Sequence, residues 1–229
     1  MDIFSKILIL LGGIALGYLI GSLSFALIIG KTFYKKDVRL YGSKNAGGTN
    51  ATRVLGRKGG FLVIFLDVLK AIVVYWTITL ILTHTALGNI AWAGPTVYAA
   101  IIATALGHAF PIFYGFKGGK VVSIFVGFAL ATNWLVTIVS ITIFFGMIGW
   151  KKMVSLGSVL TSVAFMLYGW IFIFPSVANL TMYAGTIIDM VWFYIAFAFI
   201  SVLLVVRHRD NIKRIFAGTE RRIGEPRKN

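Results

Sequence analysis

Residues 41–60 read YGSKNAGGTNATRVLGRKGG. Ser43, Asn45, Gly47, Gly48, Thr49, Asn50 and Arg53 crowd one side of that stretch. Glycines let backbone N–H groups close in on an anion, and side-chain hydroxyls and amides add donors. A guanidinium matches two phosphate oxygens at once. Thr49 or Asn50 is expected to cap a helix running into "ATRVL". Its N-terminus would favour an anion, with Arg53 facing back from the first turn. Neither GxxxxGK nor GxGxxG occurs, so this is neither a Walker loop nor a dinucleotide fingerprint.

A second cluster runs from Gly107 to Lys120, GHAFPIFYGFKGGK. Pro111 stops a helix, and Gly118-Gly119 permits a sharp turn between Lys117 and Lys120. The lysines suit a second anion site or mark the positively charged face alone, and His108 suits a site or a packed helix end. A third cluster is split between Lys151-Lys152-Met153-Val154-Ser155-Leu156-Gly157-Ser158 and Arg207-His208-Arg209-Asp210-Asn211. His208 and Asn211, three apart, share a face if the helix continues there. Ser155 and Ser158 suit capping, small-residue packing or ligand binding.

Something must carry these groups. The chain has 229 residues, 59% hydrophobic and 13% charged, with a mean hydropathy of +0.89. Soluble domains carry about 25% charged residues, so the expected class is an all-α, polytopic membrane bundle. Seven apolar runs, 7–29, 60–83, 95–106, 121–132, 134–149, 157–174 and 187–206, are candidate spans. Several are short for the bilayer and need ends buried in protein or extended by loops. The first is too long, and too close to the start, to read as a cleaved signal. The absence of cysteine excludes disulfides, thiolate metal sites and an enzyme thioester. The seven acidic residues form no evident metal cluster, so no metal or other cofactor is expected.

Twenty of the 22 basic residues fall in loops one, three and five or in the tail after 207. Seven spans with the N-terminus outside and the C-terminus cytoplasmic satisfy the positive-inside rule. The net charge of +15 thus has a topological origin, and most of the basic tail reads as an anchor for anionic lipid rather than nucleic acid. All three polar clusters then share the cytoplasmic face. Asp67 and Lys70, three apart inside the second span, are expected to pair or to face the pocket.

With these residues in view, the sequence resembles the bacterial acyl-phosphate:glycerol-3-phosphate acyltransferase family over essentially its whole length. "GSKNAGGTNATRVLG" resembles the family's first motif, GSGNxGATNxxRxxG. "GHAFPIFYGFKGGK" resembles the second, "SLGS" with "HRDNIKRIFAGTE" the third, and "LDVLKA" the family's Asp-x-x-Lys. Lys44 stands where that family usually has glycine, Gly48 where it has alanine, Ser24 where proline is frequent, and Val121 where glycine is common.

The resemblance implies one domain over 1–229, with 207–229 as a cytoplasmic tail, in the bacterial inner membrane. It implies acyl transfer from acyl phosphate to the sn-1 hydroxyl of glycerol 3-phosphate, giving lysophosphatidic acid and phosphate. Membrane lipids and the enzyme that forms the acyl phosphate are then the implied partners. Ser43, Asn45, Gly47, Gly48, Thr49, Asn50 and Arg53 are expected to hold the acyl phosphate. Lys117, Gly118, Gly119, Lys120, Ser155, Ser158, His208 and Asn211 are expected to hold glycerol phosphate. Ser43, Arg53, Lys120 and His208 are the candidate catalytic groups. The base is either His208 or a substrate phosphate oxygen. No histidine has aspartate five residues downstream, so the HxxxxD acyltransferase pattern is absent. The competing class is a transporter or flippase for an anionic metabolite or lipid. Such proteins place their ligands at the bilayer midplane.

Overall fold

In the computed structural model, which describes residues 3–84, 93–170 and 187–225, the regular elements are helices, with no strand among the described residues. They are α1 (Ile3–Gly21), α2 (Phe25–Tyr34), α3 (Gly48–His84), α4 (Ala93–Ala109), α5 (Val122–Thr132), α6 (Trp134–Lys151), α7 (Val154–Tyr168), α8 (Ile187–Arg207) and α9 (Arg209–Phe216). Five stretches are long and apolar enough to cross a membrane: Ile3–Tyr34, Gly48–His84, Gly94–Tyr114, Trp134–Lys151 and Asp189–Arg207. α5 and α7 are shorter apolar helices. The final residues of the sixth expected span lie outside the described residues.

The first apolar run is not one helix. It breaks over Ser22-Leu23-Ser24 and resumes as α2. The break frees backbone carbonyls, and the buried Lys70 ammonium takes two of them, Gly21 O at 3.0 Å and Leu23 O at 2.9 Å. Asp67 Oδ1 lies 2.9 Å from the same ammonium. The pair expected from the sequence therefore exists, and it secures a broken helix as well as neutralising itself.

α1 lies directly on α4. A methyl on Gly17 would sit 2.2 Å from Ala100 O, and one on Gly21 would sit 2.3 Å from Thr104 O. Small residues let apolar helices approach this closely where no hydrophobic force separates helix from lipid. α5 buries seven of its 11 residues, as a helix too short for the bilayer must. Asn133 ends it and caps α6 by accepting from Val136 N at 2.9 Å. Phe125 and Phe128 of α5, Phe165 of α7 and Phe193 and Phe197 of α8 stack into one aromatic core, with Phe128 and Phe197 4.2 Å apart.

Candidate active site

The first polar stretch is a wound loop that feeds α3. Asn50 organises it. Its amide donates to Val38 O, Tyr41 O and Asn45 O at 2.8–3.1 Å, and its oxygen accepts from Ser43 N at 2.8 Å. The expected helix cap at Thr49 or Asn50 is displaced, because α3 already begins at Gly48. Asn50 thus spends its side chain on loop carbonyls. α3 breaks again at Gly56 (φ 83°), so Arg53 belongs to a short leading helix set off from the long apolar one. Arg53 reaches the central cavity of the site, and its guanidinium has no hydrogen-bond partner among the described residues.

Arg39 does more than mark a membrane face. It binds both oxygens of Asp37, at 3.1 and 2.8 Å, and donates to Tyr114 O at 2.9 Å. This ties the first loop to the second. The Arg39 hydrogen bonds hold the Asp37 carboxyl at about 2.

The second loop is clamped from two sides. Gly119 N donates to His108 O at 2.9 Å, and Arg207 of α8 donates to Gly119 O and Gly118 O at 3.1 and 3.2 Å. Arg207 also lies over the Phe110 ring, 5.2 Å from its centre. The turn directs Lys120 inward. Its ammonium donates to Asn211 Oδ1 of α9, and Asn211 Nδ2 donates to Glu220 Oε1 at 2.6 Å. Ser155 Oγ donates to the same oxygen at 2.6 Å, and Arg214 Nε to the other at 2.8 Å.

This network sets the charges. Burial pushes the Lys120 ammonium down to about 8 against the opposing pull of Glu220. Burial raises the Glu220 carboxyl, but hydrogen bonds from Ser155, Asn211 and Arg214 outweigh it and hold the group below its usual range. Burial, then the Lys120 charge, holds His208 at about 4. His208 Nδ1 is 2.8 Å from Leu204 O, so it must carry the hydrogen. Nε2 is left as an acceptor.

These groups open onto a cavity of about 970 Å³. Its polar part holds Ser43, Asn45, Gly47, Gly48, Thr49, Asn50, Arg53, Lys120, Ser155, Ser158, His208 and Asn211. The structure thus brings together residues from all three sequence clusters. Lys117, Gly118 and Gly119 do not line it. Lys117 is exposed, and the two glycines form the turn behind Lys120. From the polar part an apolar groove runs between α3, α5 and α6, past Ile64, Val126, Ile141, Phe144 and Ile148.

Sequence reasoning missed Arg214, Glu220 and Arg221. It read most of the tail as a lipid anchor, whereas the tail folds back over the cavity and Ile223 N donates to Lys152 O at 2.7 Å. The available signal was Glu220, a lone acid in "AGTERR". The arrangement can neutralise a phosphate, present an acceptor to a hydroxyl and shelter a long apolar tail.

A family model described as glycerol-3-phosphate acyltransferase matches residues 11–218. The glycerol-3-phosphate acyltransferase of Staphylococcus saprophyticus is 39% identical over 210 residues, covering 91% of this chain and 95% of that one. Glycerol-3-phosphate acyltransferase 2 of Bacillus anthracis is 40% identical over 208 residues, covering 91% and 96%. Among solved structures, PlsY (YgiH), an integral membrane glycerol 3-phosphate acyltransferase, is similar in its glycerol 3-phosphate form. The TM-score is 0.73 at 33% identity, over 94% of this chain and 96% of that one. Its lysophosphatidic acid form gives a TM-score of 0.72, again at 33% identity, over 94% and 95%.

Proposed function

The chain belongs to the glycerol-3-phosphate acyltransferase family, and from that premise we propose how its own residues carry out the transfer. It is a multi-pass membrane enzyme that acylates glycerol 3-phosphate, a step of phospholipid synthesis. The donor is acyl phosphate and the acceptor atom is the sn-1 hydroxyl oxygen. The observation that carries this reading is the join between a cationic polar chamber and an apolar groove in one cavity. An acyl phosphate has a charged head and an apolar tail and needs both.

The loop from Ser43 to Asn50, with Arg53, takes the acyl-phosphate head while the tail lies in the groove. Lys120, Ser155, Ser158, His208 and Asn211 take glycerol phosphate. The hydroxyl oxygen attacks the acyl carbon, the new ester C–O bond forms, and the bond to phosphate breaks. His208 Nε2 accepts the hydroxyl hydrogen bond and orients it. At about 4 His208 is a weak base near neutral pH, which favours a phosphate oxygen as the proton's destination. Phosphate is a good leaving group, so charge neutralisation and positioning are the main catalytic demands.

The proposed topology has seven spans, with an outer N-terminus, a site on the cytoplasmic side of the bacterial inner membrane and an acyl-phosphate-forming enzyme as supplier. The distribution of 20 of 22 basic residues supports it. The test is purified protein in detergent with acyl phosphate and glycerol 3-phosphate, read by phosphate release and lysophosphatidate formation. Turnover with acyl-CoA as fast as with acyl phosphate would sink the donor assignment.

A further inference from the structure

His108 takes no part in the acyl transfer just proposed, yet its surroundings are built. It lies in the last turn of α4, is 6% exposed and lines the cavity. Its Nδ1 lies 3.1 Å from Lys70 Nζ. An ammonium has donors and no acceptor. Nδ1 therefore accepts, although Asp67 Oδ1 stands 3.6 Å away on the same side. The ring hydrogen is forced onto Nε2.

That nitrogen points at the second loop. A methyl on Gly119 would stand 2.1 Å from Nε2, so a side chain there would cover it. No described residue accepts from Nε2. On a side chain that is only 6% exposed, an N–H without a protein acceptor favours a ligand that supplies one. Lys120, which follows Gly119, brings positive charge to the same wall of the cavity.

We propose that His108 is a further substrate-binding residue, a neutral Nε2–H donor to a substrate phosphate oxygen, with its tautomer fixed by the buried Asp67–Lys70 pair. The inference rests on the acyl-phosphate reading of the cavity. It assigns that pair a second task besides securing the α1 break: it decides which ring nitrogen carries the hydrogen. The two site histidines are then complementary. His108 offers a hydrogen to phosphate, while His208 offers a lone pair to a hydroxyl.

Two measurements test it. In wild-type enzyme, nitrogen NMR of isotope-labelled histidine should show His108 as the Nε2–H form and His208 as the Nδ1–H form. The chain has three histidines, so the spectrum is assignable by substitution. Glycerol 3-phosphate and acyl phosphate are then added separately, and the one that shifts the His108 Nε2 signal identifies the phosphate bound. A His108 in the Nδ1–H form, or a signal indifferent to both, overturns the proposal.

In kinetics, His108→Asn keeps an acceptor for Lys70 but has nothing at the Nε2 position, whereas His108→Gln places an amide N–H near it. His108→Asn should raise the KM for that substrate about tenfold, and His108→Gln should restore most of the loss, at similar thermal midpoints. Equal defects in both variants would mean a packing role and overturn the assignment. Failure of wild-type turnover with acyl phosphate would instead overturn the underlying reading.

Discussion

Lys120 and Asn211 stand 91 residues apart in the chain and share one hydrogen bond in the lining of the cavity. Asn211 Nδ2 donates to Glu220 Oε1, so a second-loop lysine, an α9 amide and a tail carboxylate act as one unit. Burial lowers the Lys120 ammonium to about 8. The cation is therefore present below pH 8 in the free enzyme and is lost as pH rises through that value. The kcat/KM for the phosphate substrate should fall on the basic side with an apparent pKa near 8. Lys120→Arg, charged at all working pH values, should move that limb upward. Lys120→Met should cost about 1.5–3 kcal/mol of transition-state binding, on the order of ten- to a hundredfold. A basic limb unmoved in Lys120→Arg would assign it to another group.

Arg53 is exposed at the cavity with its guanidinium unbonded among the described residues, whereas Arg57 lies beyond the Gly56 break and does not line the cavity. Arg53→Lys keeps the charge but loses the planar fork. Its turnover should drop roughly ten- to a hundredfold, from about 1.5–3 kcal/mol of charge-assisted bonding. Arg57→Lys should stay near wild type. Arg39 is no control for this comparison, because its bonds to Asp37 and Tyr114 O hold two loops together. Equal small losses in the Arg53 and Arg57 variants would reduce Arg53 to a topology charge.

The helices were legible because a bilayer forces apolar runs to be long and continuous. Asp67–Lys70 was legible because charges inside such a run must pair. The three polar clusters were legible because glycines beside hydroxyls and cations have little other use in a greasy chain. The break at Ser22–Ser24 was not, since apolar residues flank it and only the serines hint at freed carbonyls. Nor was the fold-back of the tail. Its basic residues read equally well as lipid anchors, and the deciding contacts, Glu220 to Ser155 and Ile223 to Lys152, span distant parts of the sequence.

The orientation is open to a direct measurement, because the chain lacks cysteine. Single cysteines at Lys44, in the first loop, and at Trp134, where α6 begins, are both exposed positions. In sealed vesicles a membrane-impermeant thiol reagent should reach them from opposite sides, with Lys44 on the cytoplasmic one. Labelling of both from one side would overturn the proposed arrangement of seven spans.

Lys44 also departs from the resembled motif, which usually has glycine there, and its backbone is one that favours glycine. It sits at φ 57°, a left-handed conformation that costs most side chains about 1–2 kcal/mol. Its side chain is exposed and the ammonium makes no ion pair among the described residues. Little is lost by removing it, so Lys44→Gly should raise stability by about 1 kcal/mol. Part of the strain relief is offset by the greater freedom of glycine in the unfolded chain. The same substitution at Val121, φ 68°, should not stabilise, because Val121 is fully buried in the core and its deletion leaves a cavity. Thermal unfolding in detergent would distinguish them: Lys44→Gly upward by a few degrees, Val121→Gly not. A Lys44→Gly midpoint at or below wild type would mean that the lysine side chain contributes something at the mouth of the cavity that outweighs its strained backbone.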